Sequence, residues 1–309
     1  MNKLTKKTNF NIYNFLKKLQ MYKNKNITLF AFASLDLKRS VNRLKEQALK
    51  TKYYDNIKII NPNDFDYETK YRFKNLTKKE KRRGYGYWFW KPFLLSKIMK
   101  EKKYGDIIHY LDVGCHISKT KSNRFNEYLD LIINKDKWLL AFQYHTKNIK
   151  FLDGISFQLR EEFKYTKSDL FEYFECLNKK EITHTPQYWA GSFFIKKDLE
   201  SERFLEEWNK VFEERFDLID DTPSNIKNFD GFIENRHDQS VFSLLCKKNL
   251  INSLSAYECD WGERNNLRTW EHILDYPILA KRDLQYSLLK RFLDRQKKNF
   301  RRIKRKFCE

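Results

Sequence analysis

The chain alternates short apolar runs with stretches of helical periodicity, and this alternation limits the folds open to it. The first run, Ile27–Ala33, is continuous and rich in β-branched and aromatic residues, which is typical of a strand buried on both faces. A helical stretch at Leu37–Thr51 and a second short strand at Asn56–Ile60 follow. Strand, helix and strand in this order predict a doubly wound, mostly parallel sheet.

The same alternation continues to about residue 261. Further strands are predicted at Ile107–Leu111, Leu139–Phe142 and Ser192–Ile195, and further helices at Pro92–Lys100, Leu199–Phe216 and Gln239–Lys247. Because no repeat or low-complexity linker interrupts the pattern, we predict one Rossmann-like α/β unit over residues 27–275. Residues 1–26 are then a basic N-terminal extension, and residues 276–309 a basic amphipathic helical tail.

Net charge and composition limit the kinds of partner and the cellular compartment that we expect for the protein. The net charge of +21 favours anionic partners, while 17% aromatic residues argue against wholesale disorder. Residues 281–309 carry twelve basic against three acidic side chains, which predicts contact with an anionic membrane surface. Five scattered cysteines suit a reducing compartment, and we find no signal peptide or spanning run. We therefore expect a cytoplasmic protein, peripherally associated with the inner face of the cell membrane.

The segment Lys81–Pro92 places arginines and a lysine among two glycines and a run of aromatics. Guanidinium groups bind phosphate oxygens bidentately, and aromatic faces stack on a base or a sugar. The alternative is an aromatic core segment flanked by solvated cations, which is the better interpretation for Trp88 and Phe89. For Arg83, Trp90 and Lys91 the pattern favours a binding role.

A second candidate, Asp112, follows the strongest predicted strand, with Gly114 two residues later. In open α/β sheets ligands bind beyond the carboxyl ends of the strands, so an aspartate there suits a divalent ion bound to diphosphate. Asp112 would otherwise only cap a turn. Cys115 and His116 do not indicate zinc, because no second Cys/His pair stands at finger spacing.

Two weaker patterns follow. Trp189–Ser192 brings small residues to the start of an apolar run, which plain packing would also explain. His237, Asp238 and Gln239 stand together at the start of a predicted helix. Asp238 would serve there as the N-cap of the helix. An imidazole and a carboxylate in this place would also help Asp112 to hold a metal ion.

In this order the pieces resemble GT-A-fold glycosyltransferases, in particular bacterial enzymes that build lipopolysaccharide or capsule saccharides. The resemblance spans Ile27 to about Trp261 and is carried by Arg83–Pro92, Tyr110–Cys115 and, more weakly, Ala190-Gly191 and Asp238-Gln239. It implies a GT-A-type catalytic domain that moves a sugar from a nucleotide sugar, with a UDP-sugar favoured. The acceptor would be a saccharide or glycolipid of lipopolysaccharide, capsule or a lipid-linked glycan, and the stereochemistry retention.

The resemblance also implies roles for single residues. Asp238 and Gln239 would be catalytic, and Trp189, Ala190 and Gly191 would form the acceptor and sugar pocket. Asp112 and His237 would hold a divalent cation, Mn²⁺ or Mg²⁺, although Gly114 stands where the family motif has its second aspartate. The donor would be bound by Ala33, Ser34, Arg83, Tyr85, Gly86, Trp90, Lys91, Asp112 and Gly114.

Two other classes of function compete with this interpretation. A nucleic-acid-binding protein with a basic aromatic groove would explain the composition, but it would not explain the motifs around Asp112 and Asp238. We therefore expect no nucleic acid as a partner. A membrane-bound scaffold with a degenerate transferase body would bind liposomes without turnover.

Overall fold

The computed structural model describes residues 25–77, 83–133 and 137–281, together with residue 296. The predicted N-terminal extension and C-terminal tail lie almost wholly outside these residues. The described strands are β1 (Ile27–Phe32), β2 (Asn56–Ile60), β3 (Ile107–Leu111), β4 (His116–Ile117), β5 (Leu139–Gln143), β6 (Tyr188–Lys196), β7 (Ser253–Ser255), β8 (Gly262–Arg264), β9 (Leu267–Thr269) and β10 (Ile278–Leu279).

Helices connect most of these strands, and single 3-10 turns lie between them. The described helices are α1 (Lys38–Thr51), α2 (Tyr67–Thr77), α3 (Trp90–Lys100), α4 (Ser122–Ile133), α5 (Ser168–Tyr173), α6 (Lys180–Thr183), α7 (Leu199–Glu214) and α8 (Asp238–Lys248). Within the described ranges, no helix is both long and apolar enough to cross a membrane.

A six-stranded sheet in the order β2-β1-β3-β6-β5-β7 forms the centre of the molecule. β1 pairs in parallel with β2 and β3, and β5 pairs in parallel with β7. Only β6 runs the other way, antiparallel to both β3 and β5. The predicted mixed α/β unit with a mostly parallel sheet is therefore confirmed.

Side chains alternate between the two faces of this sheet, because successive residues of a strand point in opposite directions. Phe30, Ile108 and Phe193 pack in one core cluster with α3, α7 and α8. Leu29 and Phe194 belong to a second cluster with α1 and α4. Helices thus cover both faces, as the doubly wound prediction requires.

The register of β6 is interrupted at one place. Ala141 of β5 pairs with Phe193, but the next residue, Phe142, pairs with Trp189. One step along β5 therefore spans four residues of β6, so Ala190–Ser192 bulge away from β5. Bulges re-aim backbone and side chains near functional sites. The structure corrects the predicted start of this strand: Trp189, Ala190 and Gly191 lie inside β6, not before it.

The smaller sheets extend the body toward the C-terminus. β10 pairs antiparallel with β4, with Ile278 opposite Ile117. The first residues of the segment assigned to the tail therefore belong to the structured body. β8 and β9 form a separate antiparallel hairpin.

Candidate active site

A buried ion pair lies at the carboxyl edge of the main sheet. Lys91, in the first turn of α3, places Nζ 2.5 Å from Oδ2 of Asp238, the first residue of α8. The two side chains are only 3% and 6% exposed, and Nζ also donates to the Ala190 carbonyl at 3.0 Å. Asp238 therefore pairs with a cation instead of capping its helix; His237 occupies the N-cap position.

Burial sets the acidity of this pair. Removal from water raises the pKa of Asp238 to about 6, although the Lys91 ammonium acts in the opposite direction. At neutral pH Asp238 is thus mostly ionised, yet it is far more basic than an ordinary aspartate. A carboxylate with a pKa close to the working pH suits general base catalysis.

Asp112 is the open carboxylate of the site. It follows β3 directly, its Oδ1 lies 3.9 Å from Lys91 Nζ, and its side chain is 37% exposed. The Tyr110 hydroxyl donates to the same Oδ1 at 2.6 Å. Two carboxylates thus share one ammonium, so the group of Asp112, Lys91 and Asp238 carries a net negative charge. A diphosphate bound here needs further positive charge nearby.

The bulge of β6 joins these groups to the sheet. The Gly191 carbonyl accepts the backbone N–H of Asp112 at 2.8 Å, while the neighbouring Ala190 carbonyl accepts Lys91. A Cβ at Gly191 would lie 2.4 Å from the indole of Trp189, which folds over it. Glycine is therefore required here so that the ring can approach the backbone.

Gln239 is held by a chain of buried amides. Its Oε1 accepts the Ala190 N–H at 3.4 Å, and its Nε2 donates to Oε1 of Gln187 at 2.6 Å. Gln187 in turn donates to the buried carboxylate of Glu162 at 2.9 Å. Neither Gln187 nor Glu162 was predicted from the sequence as a residue of the site. The position of Gln187, two residues before Trp189, was the only pointer to it.

His237 presents a neutral imidazole. Its Nδ1 donates to the Ile219 carbonyl at 2.6 Å, and burial lowers its pKa to about 4, with the Arg83 charge acting in the same direction. Among the described residues, Nε2 has no hydrogen-bond partner, and its nearest acidic atom is Oδ1 of Asp221 at 3.8 Å. The Trp88 indole stacks on the ring with centroids 5.6 Å apart.

The backbone before α3 is wound left-handed. Five successive residues, Gly84–Trp88, have φ between +54° and +88°, and the Trp88 N–H bonds to the Gly84 carbonyl at 3.2 Å. For residues other than glycine this conformation costs about 1–2 kcal/mol each. Such strain is found at functional sites, where the surrounding structure enforces it. The turn carries Trp88 to His237 and sets Lys91 in place.

The remaining predicted donor-binding residues lie at various depths. Ala33 is buried and its N–H bonds to the Ile60 carbonyl, while the Ser34 hydroxyl donates to Asp36. Trp90 is buried, with its ring 4.2 Å from that of Phe32 and 5.9 Å from Lys91 Nζ. Partly buried positions are held by Tyr85 and Gly114, and Gly86 is buried.

Arg83 is partly exposed, and its guanidinium lies 3.5 Å from Glu234. The segment that contains Arg83 reaches Asp112 through Lys91, so the two strongest sequence motifs meet at one edge of the sheet.

The predicted metal ligands do not form a ready-made site. Within residues 25–77, 83–133 and 137–281, no group of three or more His, Cys, Asp or Glu side chains is placed to hold a metal ion. Binding of Mn²⁺ or Mg²⁺ stays a prediction.

Among known proteins, the chain has only distant structural similarities. No protein-family model matches the chain, and no curated protein matches it. Among solved structures, it is similar to the glycosyltransferase GlyE of Streptococcus pneumoniae TIGR4, with 14% identity over 75% of this chain and 46% of that chain, at a TM-score of 0.36. This chain therefore spans less than half of the length of GlyE.

Two further similarities cover more of the other chain. A glycosyltransferase involved in glycosylation of the major capsid of PBCV-1 shows 9% identity over 86% of this chain and 98% of that chain, at a TM-score of 0.39. The galactosyltransferase LgtC, solved with donor and acceptor sugar analogs, shows 11% identity over 76% and 75%, also at 0.39. At such low identities and TM-scores these similarities carry no conclusion about family, activity or substrates.

Proposed function

We propose that the protein is a glycosyltransferase that moves a sugar from a nucleotide sugar to a saccharide acceptor of lipopolysaccharide, capsule or a lipid-linked glycan. The observation that supports this most is the group of Asp112, Lys91 and Asp238 at the carboxyl edge of a doubly wound sheet. That edge is where open α/β folds bind nucleotides. A UDP-sugar is the proposed donor.

The proposed reaction breaks the bond between the sugar and the diphosphate through an oxocarbenium-like state. Negative charge then builds on the leaving diphosphate, and a cation fixed beside it lowers the barrier. Lys91 is already paired with Asp238, so Arg83 is the proposed partner of the diphosphate. Its guanidinium is accessible and its contact with Glu234 is loose, at 3.5 Å.

Asp238 and Gln239 are the proposed catalytic residues, and transfer with retention is the proposed outcome. A carboxylate stabilises positive charge at the anomeric carbon or accepts the proton of the acceptor hydroxyl. Lys91 would keep Asp238 oriented, and the chain of Glu162 and Gln187 would keep Gln239 oriented. Trp189, Ala190 and Gly191 would shape the pocket for the sugar and the acceptor.

The test combines ligand binding with turnover. Purified protein is screened by thermal shift against UDP-, GDP- and CMP-sugars, with Mn²⁺ or with a chelator, because a ligand that binds the native state raises Tm. Asp112→Asn and Asp238→Asn should each abolish hydrolysis or transfer of the stabilising donor while the fold persists. Asp230→Asn is the matched control, since Asp230 is 97% exposed and pairs only loosely with Lys227.

Either of two results would reject the proposal. One is the absence of any shift with all three donor classes under both metal conditions. The other is full turnover in both Asp112→Asn and Asp238→Asn.

We also propose peripheral membrane association through the basic tail, on the cytoplasmic side. Residues 282–309 lie outside the described residues apart from residue 296, so the sequence of the tail alone supports this. Deleting Lys281–Glu309 should weaken sedimentation with liposomes that contain anionic lipid but leave donor binding in place. Unchanged sedimentation would exclude a membrane role for the tail.

A further inference from the structure

A second concentration of charge lies beside the catalytic group, at the carboxyl end of β5. Three guanidinium groups there lie over aromatic rings, with their central carbons 3.8–4.3 Å from the ring centres. Arg160 lies over Tyr144 at 4.0 Å, Arg236 over Tyr165 at 3.8 Å and Arg268 over Trp261 at 4.3 Å. We call Arg160, Arg236 and Arg268 with these rings the arginine cluster.

Arg236 is the member with unused hydrogen-bonding capacity. Its guanidinium carbon lies 3.8 Å from the centre of the Tyr165 ring, and its side chain is 23% exposed. Among the described residues it has no hydrogen-bond acceptor, and its ion-pair contact is Glu234, 3.9 Å from Nε. Glu234 is shared, because Arg83 also approaches it. A fixed guanidinium with free donors is ready to bind a planar or tetrahedral anion.

Arg160 is held in a buried ion pair with Asp260, so the pair as a whole adds no net charge. Arg160 donates to Oδ2 of Asp260 at 2.9 Å. Asp260 also accepts the Tyr144 hydroxyl and the Trp261 N–H.

The cluster extends from the proposed diphosphate partner to the β5 side of the catalytic group. Arg236 shares Glu234 with Arg83 and precedes Asp238 by two residues. The Arg160 carbonyl accepts the N–H of Gln187, the partner of Gln239, and β5 lies two strands away from β3, which corresponds to about 10 Å. Arg236 therefore lies where an acceptor bound next to the diphosphate would reach it.

We propose that the arginine cluster binds a negatively charged group, a carboxylate or a phosphate, on the acceptor saccharide. This rests on the proposed function, because it names the class of acceptor for that site. Arg236 contacts the anion directly, and the pair of Arg160 with Asp260 keeps the surrounding rings of Tyr144 and Trp261 in place. A neutral acceptor would leave the Arg236 donors without a partner in a partly desolvated place.

The experiment compares matched glycans on an array. Each neutral oligosaccharide is paired with the same backbone carrying a uronic acid carboxylate and with one carrying a phosphate monoester. The wild-type protein should bind at least one acidic form about tenfold more tightly than the neutral form, as expected for a charge-assisted hydrogen bond. The two acidic arms show whether the anion is a carboxylate or a phosphate.

Variants show whether binding of acidic glycans depends on Arg236 or only on the overall positive charge of the protein. Arg236→Gln should lose the preference for acidic glycans, and Arg236→Lys should keep only part of it, because an ammonium lacks the guanidinium fork. Arg203→Gln, at an exposed residue of α7 paired with Glu200, changes the charge equally and should keep the preference. Folding of each variant is checked by circular dichroism.

The outcomes distinguish this inference from the proposed function. Equal binding of neutral and acidic glycans, or equal losses in Arg236→Gln and Arg203→Gln, would overturn the inference even if nucleotide sugars raise Tm. A preference for acidic glycans that depends on Arg236, without any response to nucleotide sugars, would support the anion site and reject the transferase.

Discussion

Replacing Lys91 by methionine tests the central ion pair. Lys91→Met preserves the length of the side chain and its apolar stem but removes the ammonium between Asp238 and Asp112. Asp238 is then a buried carboxylate without a cation, and the Ala190 carbonyl loses its donor. We expect the free energy of unfolding at pH 7 to fall by about 3–5 kcal/mol, the range for breaking a buried pair.

The pH dependence of this loss identifies its cause. Without Lys91, the folded-state pKa of Asp238 should rise above its present value of about 6, while the unfolded value stays near 4. A carboxyl whose pKa is raised on folding stabilises the native state below the unfolded pKa, and this is lost as pH rises through the folded pKa. The deficit of Lys91→Met should therefore shrink as the pH is lowered from 7 toward 4.

Urea unfolding followed by tryptophan fluorescence, at a series of pH values, measures both effects. Lys97→Met is the matched control, because Lys97 lies on the same helix but forms a solvent-exposed pair with Asp66. Loss of the Lys97–Asp66 pair should lower the free energy of unfolding by no more than about 1 kcal/mol. The double variant Lys91→Met/Asp238→Leu should recover most of the stability. A loss in Lys91→Met no larger than in Lys97→Met, or one independent of pH, would refute the reasoning.

Three further predictions concern the same site. Since burial raises the pKa of Asp238 to about 6, kcat/KM of a base-dependent transfer should fall about tenfold per pH unit below that value; a flat profile down to pH 4.5 would contradict this. Gly191→Ala places a Cβ 2.4 Å from the Trp189 indole, so it should displace the ring, lower stability by about 1–3 kcal/mol and alter tryptophan fluorescence; an unchanged spectrum and Tm would disprove the clash. Gln187→Met leaves Glu162 and Gln239 each short of a partner, so kcat should fall and stability should drop by about 1–3 kcal/mol, as measured by kinetics and urea unfolding.

The parts of the fold that follow from local sequence were predictable. β1 and β3 are continuous apolar runs, and their buried positions match the pattern in the sequence. β6 was recognised only from Ser192 onward, because the bulge at Ala190–Ser192 breaks the ordinary strand pattern. Its antiparallel direction depends on which strands flank it, a tertiary property that no local pattern encodes. Helix α4 was missed, although Phe125, Leu129 and Ile132 have helical spacing.

The candidate site was predictable in its residue types but not in its pairings. The sequence singled out Asp112, Lys91 and Asp238, yet it gave no reason to pair Lys91 with Asp238, which lies 147 residues away. The sequence also favoured a binding role for Trp90 and a core position for Trp88, whereas Trp90 is buried and Trp88 is partly exposed. The left-handed turn that reverses their exposure is a conformation that aromatic residues rarely adopt, so propensity argues against it.

The left-handed turn at Gly84–Trp88 should also affect the order in which parts of the molecule unfold. The surrounding structure holds these five residues in a backbone conformation that most of them disfavour. When the surrounding structure loosens, we expect this stretch to unfold early. Mild warming should therefore release it before the sheet melts, with early hydrogen exchange at the Tyr87 and Trp88 amides. A preparation with intact far-ultraviolet dichroism would then already have lost the positioning of Lys91. Intact secondary structure and a correctly positioned Lys91 would then be separate properties, and storage or crystallisation conditions should be chosen to preserve the second.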